Sequence, residues 1–115
     1  MNWNMHLEAI PMERIRSGLK QVEFRLDKPK WRDIAVGDTV TFTQEANPDE
    51  TLIVRVLELM RFPTFRDLLT YCELRGLLEE CRSIDEQVRR LETRYPAEER
   101  AKYERVFGLR VEAIL

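Results

Sequence analysis

The spacing of apolar residues changes twice along this chain, and that change limits the folds it can adopt. Apolar and polar residues alternate through much of the first half and again at the end, whereas the residues between them have helical spacing. Alternation indicates strands with one buried face. The alternating segments are residues 5–10, 22–26 and 109–115. Residues 36–44 open with a Gly-Asp turn and continue as a strand, and residues 51–60 are rich in branched apolar residues, which indicates a central strand. The pattern predicts an α+β fold in which a mostly antiparallel sheet curls into a small β-barrel with flanking helices.

Helical spacing dominates residues 64–103, and a shorter helix lies between the first two strands. Pro11 suits the first turn of that short helix, and Gly18 ends it. Thr64 is a candidate N-cap, and Ser83 begins a capping box. Two apolar stripes follow these caps, Phe65-Leu68-Leu69-Cys72 and Ile84-Val88-Leu91-Tyr95. Because the last strand must return to the sheet, we expect the helices of residues 64–103 to form an excursion that covers one end of it.

A chain of 115 residues suits one domain, which we predict to span residues 1–115. The formal net charge is −2, so no overall field attracts the chain to nucleic acid. Residues 14–32 differ from the rest, because they include seven basic and two acidic side chains, a local excess of five positive charges. This segment either offers a basic face to a phosphate-bearing ligand or is a solvated hairpin.

Few residues in the chain are suited to metal binding or cross-linking. The two cysteines, Cys72 and Cys81, form no CxxC pair, and the single histidine, His6, completes no ligand cluster. We therefore predict no metal and no cofactor. Two reduced thiols fit a cytosolic protein. Since the N-terminus has no signal-peptide pattern and no segment approaches the roughly 20 apolar residues of a membrane span, we predict a cytoplasmic location and no membrane partner.

Three charged residues surround a turn-to-strand junction in the stretch SGLKQVEFR. Glu23 and Arg25 are two positions apart on a predicted strand, so they share the face opposite the apolar residues. Lys20 has the wrong parity to join them on a straight strand, and it reaches their side only if the chain bends near Gln21. Arginine offers a planar fork for phosphate or a base edge, lysine a point charge, and glutamate an acceptor or general base. The alternative is an ordinary surface ion pair.

The same stretch carries a family resemblance. GLKQVEFR matches the pattern G-x-K-x-x-E-x-R through Gly18, Lys20, Glu23 and Arg25, which resembles the signature of the ASCH domain family, a relative of PUA domains. Three later stretches resemble the family's basic segment with its Gly-Asp turn, its strand-to-helix step and its closing strand. They are KWRDIAVGDTVTF, LELMRFPTFRDLL and YERVFGLRVEAI. The likeness covers nearly the whole chain as a stand-alone domain.

The resemblance implies a PUA-like β-barrel in which the signature lysine, glutamate and arginine lie in a cleft between barrel and helices. It also implies a ligand, because the family is thought to bind RNA or nucleotides. Some small members are enzymes, either amidohydrolases that remove the acetyl group from N4-acetylcytidine or ribonucleases. Similarity to the amidohydrolases implies a catalytic glutamate at Glu80.

One position departs from the amidohydrolase pattern, because those enzymes have a threonine nucleophile where this chain has Glu23. A carboxylate cannot replace an activated hydroxyl in acyl transfer, although it can activate a water molecule. A ribonuclease needs only a base for the 2′-OH and cations for the phosphorane charge, which Glu23, Lys20 and Arg25 can supply. The departure therefore favours ribonuclease over amidase activity.

Two functions follow, a module that binds RNA or a nucleotide and, as the alternative, a hydrolase that uses the same cleft. Trp31, between Lys30 and Arg32, either stacks on a base or closes the edge of the barrel. A protein-interaction module built on the acidic helices of residues 73–104 ranks third. The predicted binding residues are Lys20, Glu23, Arg25, Lys30, Trp31 and Arg32. The predicted catalytic residues are Lys20, Glu23 and Glu80.

Overall fold

The computed structural model describes residues 1–79 and 82–114. Within these ranges the chain forms five strands and four α-helices. The strands are β1 (Asn2–Leu7), β2 (Val22–Leu26), β3 (Thr39–Gln44), β4 (Thr51–Phe62) and β5 (Val106–Ala113). The helices are α1 (Ala9–Arg16), α2 (Phe65–Leu74), α3 (Ile84–Arg94) and α4 (Ala97–Arg100). A short 3-10 turn, Pro29–Trp31, follows β2.

The strands form one sheet in the order β1-β3-β4-β5-β2. β1 pairs with β3 in parallel, and the other three pairings are antiparallel. The sheet curls into a half-barrel with flanking helices, which confirms the predicted α+β fold class. β4 is central, and β5 lies between β4 and β2, so the last strand returns to the sheet as expected. β1 and β2 are the two edges of the sheet.

Apolar side chains pack on both faces of the sheet. The larger cluster joins one face to α1 and the 3-10 turn, and it includes the inward residues predicted for β3, Val40 and Phe42, both fully buried. The second cluster joins the opposite face to α2 and α3. The predicted stripe of α2 is buried throughout, at Phe65, Leu68, Leu69 and Cys72. The helical excursion therefore covers one face of the sheet and not, as predicted, one end of it.

A β-bulge reverses the alternation within β4. Val56 pairs with Val111 and Glu58 pairs with Arg110, so Leu57 is an extra residue on β4. The side chains that face the larger cluster have even numbers before the bulge, as at Val56, whereas Met60 after it faces the helices. Because an extra residue shifts the period of two by one position, the face that each side chain of β4 takes is reversed beyond Val56.

Other element bounds differ from the predicted ones at the ends of the chain. β1 covers Asn2–Leu7 rather than residues 5–10, because its pairing with β3 begins at Asn2. β5 begins at Val106 rather than at Leu109. Its first four residues are all buried, since Phe107 and Leu109 face the larger cluster while Val106 faces the helices. A strand covered on both faces shows no alternation, which is why its start was not apparent.

Candidate functional site

Lys20, Glu23 and Arg25 form one cluster of charges. Lys20 Nζ lies 3.0 Å from Glu23 Oε1. Arg25 Nε donates to Glu23 Oε2 at 3.0 Å, and Arg25 Nη2 lies 2.9 Å from the same oxygen. Glu23 is only 5% exposed. We call these three residues the triad. They are not a surface ion pair, because the central carboxylate is buried between its two cations.

The turn at the end of α1 brings Lys20 to the same side as the other two residues. Gly18 has a positive φ of 85°, a conformation that glycine adopts without strain. The chain then folds back, and the Lys20 backbone N–H donates to the carbonyl of Arg14 at 2.9 Å. β2 starts only at Val22, so strand parity does not apply to Lys20. The bend on which the predicted cluster depends is therefore present.

Arg25 also links the two edges of the sheet. Its Nη2 donates to the backbone carbonyl of His6 at 2.6 Å. His6 lies on β1 and Arg25 on β2, which are not paired with each other. The guanidinium therefore spans the opening of the half-barrel, and its orientation is fixed by contacts on two strands.

The surroundings of Glu23 keep its carboxylate ionised. Burial alone would raise the pKa of Glu23, but the positive charges of Lys20 and Arg25 and the hydrogen bonds they donate lower that pKa to about 2, from an ordinary value of 4.5. At neutral pH the triad therefore consists of two cations and one anion, and it carries one net positive charge.

A cavity of about 830 Å³ lies between α1, β2 and α3 and contains part of the triad, Lys20 and Glu23. Its described charged lining has more basic than acidic side chains. The basic residues are Arg14, Lys20, Arg82, Arg89, Arg90 and Arg94, and the acidic residues are Glu8, Glu23, Glu79 and Glu86. Arg14 pairs with Glu79, whereas Arg82, Arg89 and Arg90 have no acidic partner within residues 1–79 and 82–114. The larger cavity therefore presents an excess of positive charge to a ligand.

A second cavity, of about 330 Å³, shares Arg94 with the first and contains the third member of the triad, Arg25. Lys28 and Lys30 also line it, and neither has an acidic partner in the described part of the chain. Tyr95 adds a ring to its wall. Burial raises the pKa of Tyr95, so its hydroxyl remains protonated at neutral pH. The triad therefore contributes to both cavities, and both are rich in cations.

The predicted residues of the basic segment have different positions. Lys30 lines the smaller cavity, and its Nζ lies 4.7 Å from the centre of the Trp31 ring. Trp31 is only 9% exposed and packs in the larger apolar cluster, although it also contributes to the wall of the smaller cavity. Arg32 is exposed and lines neither cavity. Glu80 lies outside the described residues, and its predicted catalytic role stays a prediction.

Sequence reasoning missed the contribution of α3 to the site. Gln87 and Arg94 of α3 line the larger cavity, and Arg94 also lines the smaller one. Arg94 pairs with Glu8, which follows β1. A signal for Gln87 was present, because it lies three positions after Ile84 and four before Leu91, beside the predicted apolar stripe. A polar residue at such a position is expected to be partly buried.

Other kinds of site find less support. Among the residues that the structure describes, no group of three or more histidine, cysteine, aspartate or glutamate side chains is arranged to hold a metal ion. Cys72 is buried, and burial raises the pKa of its thiol to about 11, so it is a poor nucleophile. None of the helices in the described ranges has the length and apolar character that crossing a bilayer requires.

Comparison with known proteins agrees with this fold. The chain is 31% identical to hypothetical protein PH0355, whose crystal structure matches with a TM-score of 0.82 over 99% of this chain and 100% of that chain. It is 30% identical to Protein PF0455 from Pyrococcus furiosus, whose solution NMR structure gives a TM-score of 0.70 over 99% and 98% of the two chains. The crystal structure of ASCH from Zymomonas mobilis matches with a TM-score of 0.66 at 14% identity, over 98% of this chain and 70% of that chain. This match is a likeness of fold alone.

No curated protein matches the chain in sequence. A model of the ASCH domain matches residues 5–114, nearly the whole chain. The chain therefore belongs to the ASCH domain family.

Proposed function

We propose that the chain binds single-stranded RNA or a nucleotide in the two cavities that the triad joins. The observation that carries this proposal is the position of the triad, with Lys20 and Glu23 in the larger cavity and Arg25 in the smaller one. Family membership supports the same ligand class, because ASCH domains are generally proposed to bind RNA.

The smaller cavity suits a phosphate group. Lys28 and Lys30 line it without an acidic partner in the described ranges, and Arg25 and Arg94 add two guanidinium groups. Unpaired cations attract phosphate oxygens and release counterions when they bind them. Lys28 Nζ lies 6.0 Å from the ring centre of Tyr103, and Lys30 Nζ lies 4.7 Å from that of Trp31. These cation–π contacts hold both ammonium groups beside the cavity.

The larger cavity suits the base and the ribose. Its volume of about 830 Å³ falls within the range of small-molecule sites. Phe24 and Leu91 give it apolar surface beside the charged residues. Glu23 Oε1 accepts from Lys20 and keeps a second lone pair, so it can also accept from a base or ribose hydroxyl.

The state of Glu23 favours binding over hydrolysis. A general base acts best when its pKa lies near the working pH, and the pKa of Glu23 is about 2. Its two cations hold the carboxylate as a fixed anion that orients them, rather than as a group that takes up a proton. We therefore expect Glu23 to position Lys20 and Arg25 and not to cleave RNA or deacetylate N4-acetylcytidine.

The proposal predicts an affinity for RNA that depends on salt and to which Lys28 and Lys30 contribute. The affinity of the wild type for a short fluorescein-labelled single-stranded RNA, measured by fluorescence anisotropy, should fall as salt rises. The double variant K28Q/K30Q should bind at least about tenfold more weakly, because it loses two contacts to charged groups. Its slope of log affinity against log salt should be shallower by about 0.7 to 1 per lost contact.

A charge-matched control separates local contacts from overall charge. Arg55 and Lys102 are exposed and line neither cavity, so R55Q/K102Q makes the same change in net charge elsewhere. We expect this control to bind RNA like the wild type. Equal losses in the two double variants would refute the proposed site, and the absence of any salt-dependent binding by the wild type would refute the proposed function.

A further inference from the structure

The side-chain amide nitrogen of Gln87 is buried. The residue is only 8% exposed and lines the larger cavity from α3. Its Nε2 is buried and has no hydrogen-bond partner among the residues that the structure describes. A buried donor without an acceptor is unfavourable, and nearly all such groups in folded proteins are paired. The lack of a partner for this donor within residues 1–79 and 82–114 therefore requires an explanation.

The helix that carries Gln87 is held in place, so the Gln87 side chain stays at the wall of the larger cavity. The Ser83 side chain caps the first turn of α3 by accepting from the Glu86 backbone N–H at 3.1 Å. Val88, one position after Gln87, is 6% exposed, and Leu91 packs against the apolar cluster that joins the sheet to α2. These contacts fix the face of the helix on which Gln87 lies, and that face borders the cavity.

The cavity around Gln87 suits a flat, neutral ring with hydrogen-bonding edges. Leu7, Ile10, Phe24 and Leu91 supply apolar surface in the same cavity. A charged ligand group would be drawn to Arg82, Arg89 and Arg90, which have no acidic partner in the part of the chain that the structure describes. A carboxamide instead pairs with a neutral group that offers an acceptor next to a donor. Nucleobase edges present that pattern, and glutamine amides read it in other nucleic-acid complexes.

We propose that Gln87 is a specificity-determining residue that reads the edge of a nucleobase held in the larger cavity. This inference rests on the proposed function and adds selectivity to it. A rotation of the Gln87 side chain brings the buried Nε2 group to the cavity, where it donates to a carbonyl oxygen or ring nitrogen of the base, and the Oε1 group accepts from the neighbouring base N–H. The phosphate contacts in the smaller cavity are independent of this pair, because Gln87 does not line that cavity.

The test measures the affinities of AMP, GMP, CMP and UMP by calorimetry for the wild type, Gln87→Leu and a control. Leucine has a similar volume and cannot form hydrogen bonds. The wild type should favour one base, and Gln87→Leu should bind that nucleotide at least about fivefold more weakly and lose most of the preference. The salt dependence of binding should be unchanged, because the phosphate contacts remain.

The melting temperature is a second readout. If Gln87 had a purely structural role, replacing it would lower the melting temperature, whereas the proposal expects no loss. Gln87→Leu removes the unpaired amide, so its melting temperature should equal or exceed that of the wild type. Gln44→Leu is the matched control, since Gln44 is also partly buried but lines neither cavity. It should leave the base preference as it is in the wild type.

The outcomes distinguish the inference from the function on which it rests. If the wild type binds nucleotides and Gln87→Leu keeps the same base preference, the role of Gln87 is wrong and the proposed function stands. A melting temperature of Gln87→Leu well below that of the wild type would also overturn it, because the amide would then have a structural partner. If the wild type binds none of the four nucleotides and no RNA, the proposed function fails first.

Discussion

Replacing Glu23 by glutamine is expected to lower the free energy of unfolding by about 3 kcal/mol at neutral pH. Breaking a buried ion pair by removing one partner typically costs about 3–5 kcal/mol, because a charge is left without compensation. The low end of this range applies, since the side chains of Lys20 and Arg25 are 16% and 14% exposed and retain some contact with water. The free energy is measured by urea unfolding followed by circular dichroism.

An exposed glutamate provides the control for this substitution. Glu13 pairs with Arg16 at 2.8 Å, but its side chain is 66% exposed. Surface pairs of this kind contribute about 1 kcal/mol or less. We therefore expect Glu13→Gln to leave the urea midpoint nearly unchanged. Similar losses in Glu23→Gln and Glu13→Gln would show that the triad behaves as an ordinary surface pair.

A triple variant separates stability from ligand binding. In K20M/E23L/R25M no charge of the triad remains to be compensated, and buried ion networks replaced by apolar residues of similar volume are often as stable as the original. The triple variant should therefore recover most of the stability that Glu23→Gln loses, apart from the bond between Arg25 and the His6 carbonyl. It should nevertheless bind RNA much more weakly than the wild type. Such a result would show that the triad serves ligand binding rather than the stability of the fold.

The triad could be predicted from sequence because its geometry is local. Glu23 and Arg25 lie on a regular strand of five residues, so their parity alone determines that they share a face. Lys20 depended on one further condition, a turn at Gly18, and glycine is the residue that makes such a turn favourable. Short-range rules of backbone geometry were therefore sufficient for this part of the site.

The contribution of α3 could not be predicted in the same way. Helical spacing identifies the apolar face of α3, but it does not determine which strand that face covers or which side chains then border a cavity. The position of Arg94 follows from its pairing with Glu8, which is far away in the sequence. The bulge at Leu57 and the doubly covered start of β5 are also tertiary features, because each depends on the neighbouring strand or helix. The positions of these residues thus depend on long-range packing, and local sequence patterns do not predict them.

The second large effect that we expect is a loss of stability in acid, caused by the protonation of Glu23. The pKa of Glu23 is about 2 in the folded chain, against an ordinary value of 4.5 that we take for the unfolded chain. Between these two values the unfolded chain binds the proton and the folded chain does not, so stability falls as the pH falls. The contribution is complete above about pH 4.5 and is lost towards pH 2. Its size is about 3 kcal/mol, since one pKa unit corresponds to about 1.4 kcal/mol.

The difference in stability between the wild type and Glu23→Gln should therefore depend on pH. It should be about 3 kcal/mol at neutral pH and shrink towards zero near pH 2, because protonation of Glu23 makes the wild-type side chain neutral like glutamine. Urea midpoints measured across this range provide the test, and Glu13→Gln should follow the wild type throughout. A difference that stays constant with pH would mean that shape and hydrogen bonding, rather than charge, hold the triad together. A difference that shrinks with acid would mean that ionised Glu23 is what keeps Lys20 and Arg25 side by side at neutral pH, the arrangement that the proposed binding of RNA requires.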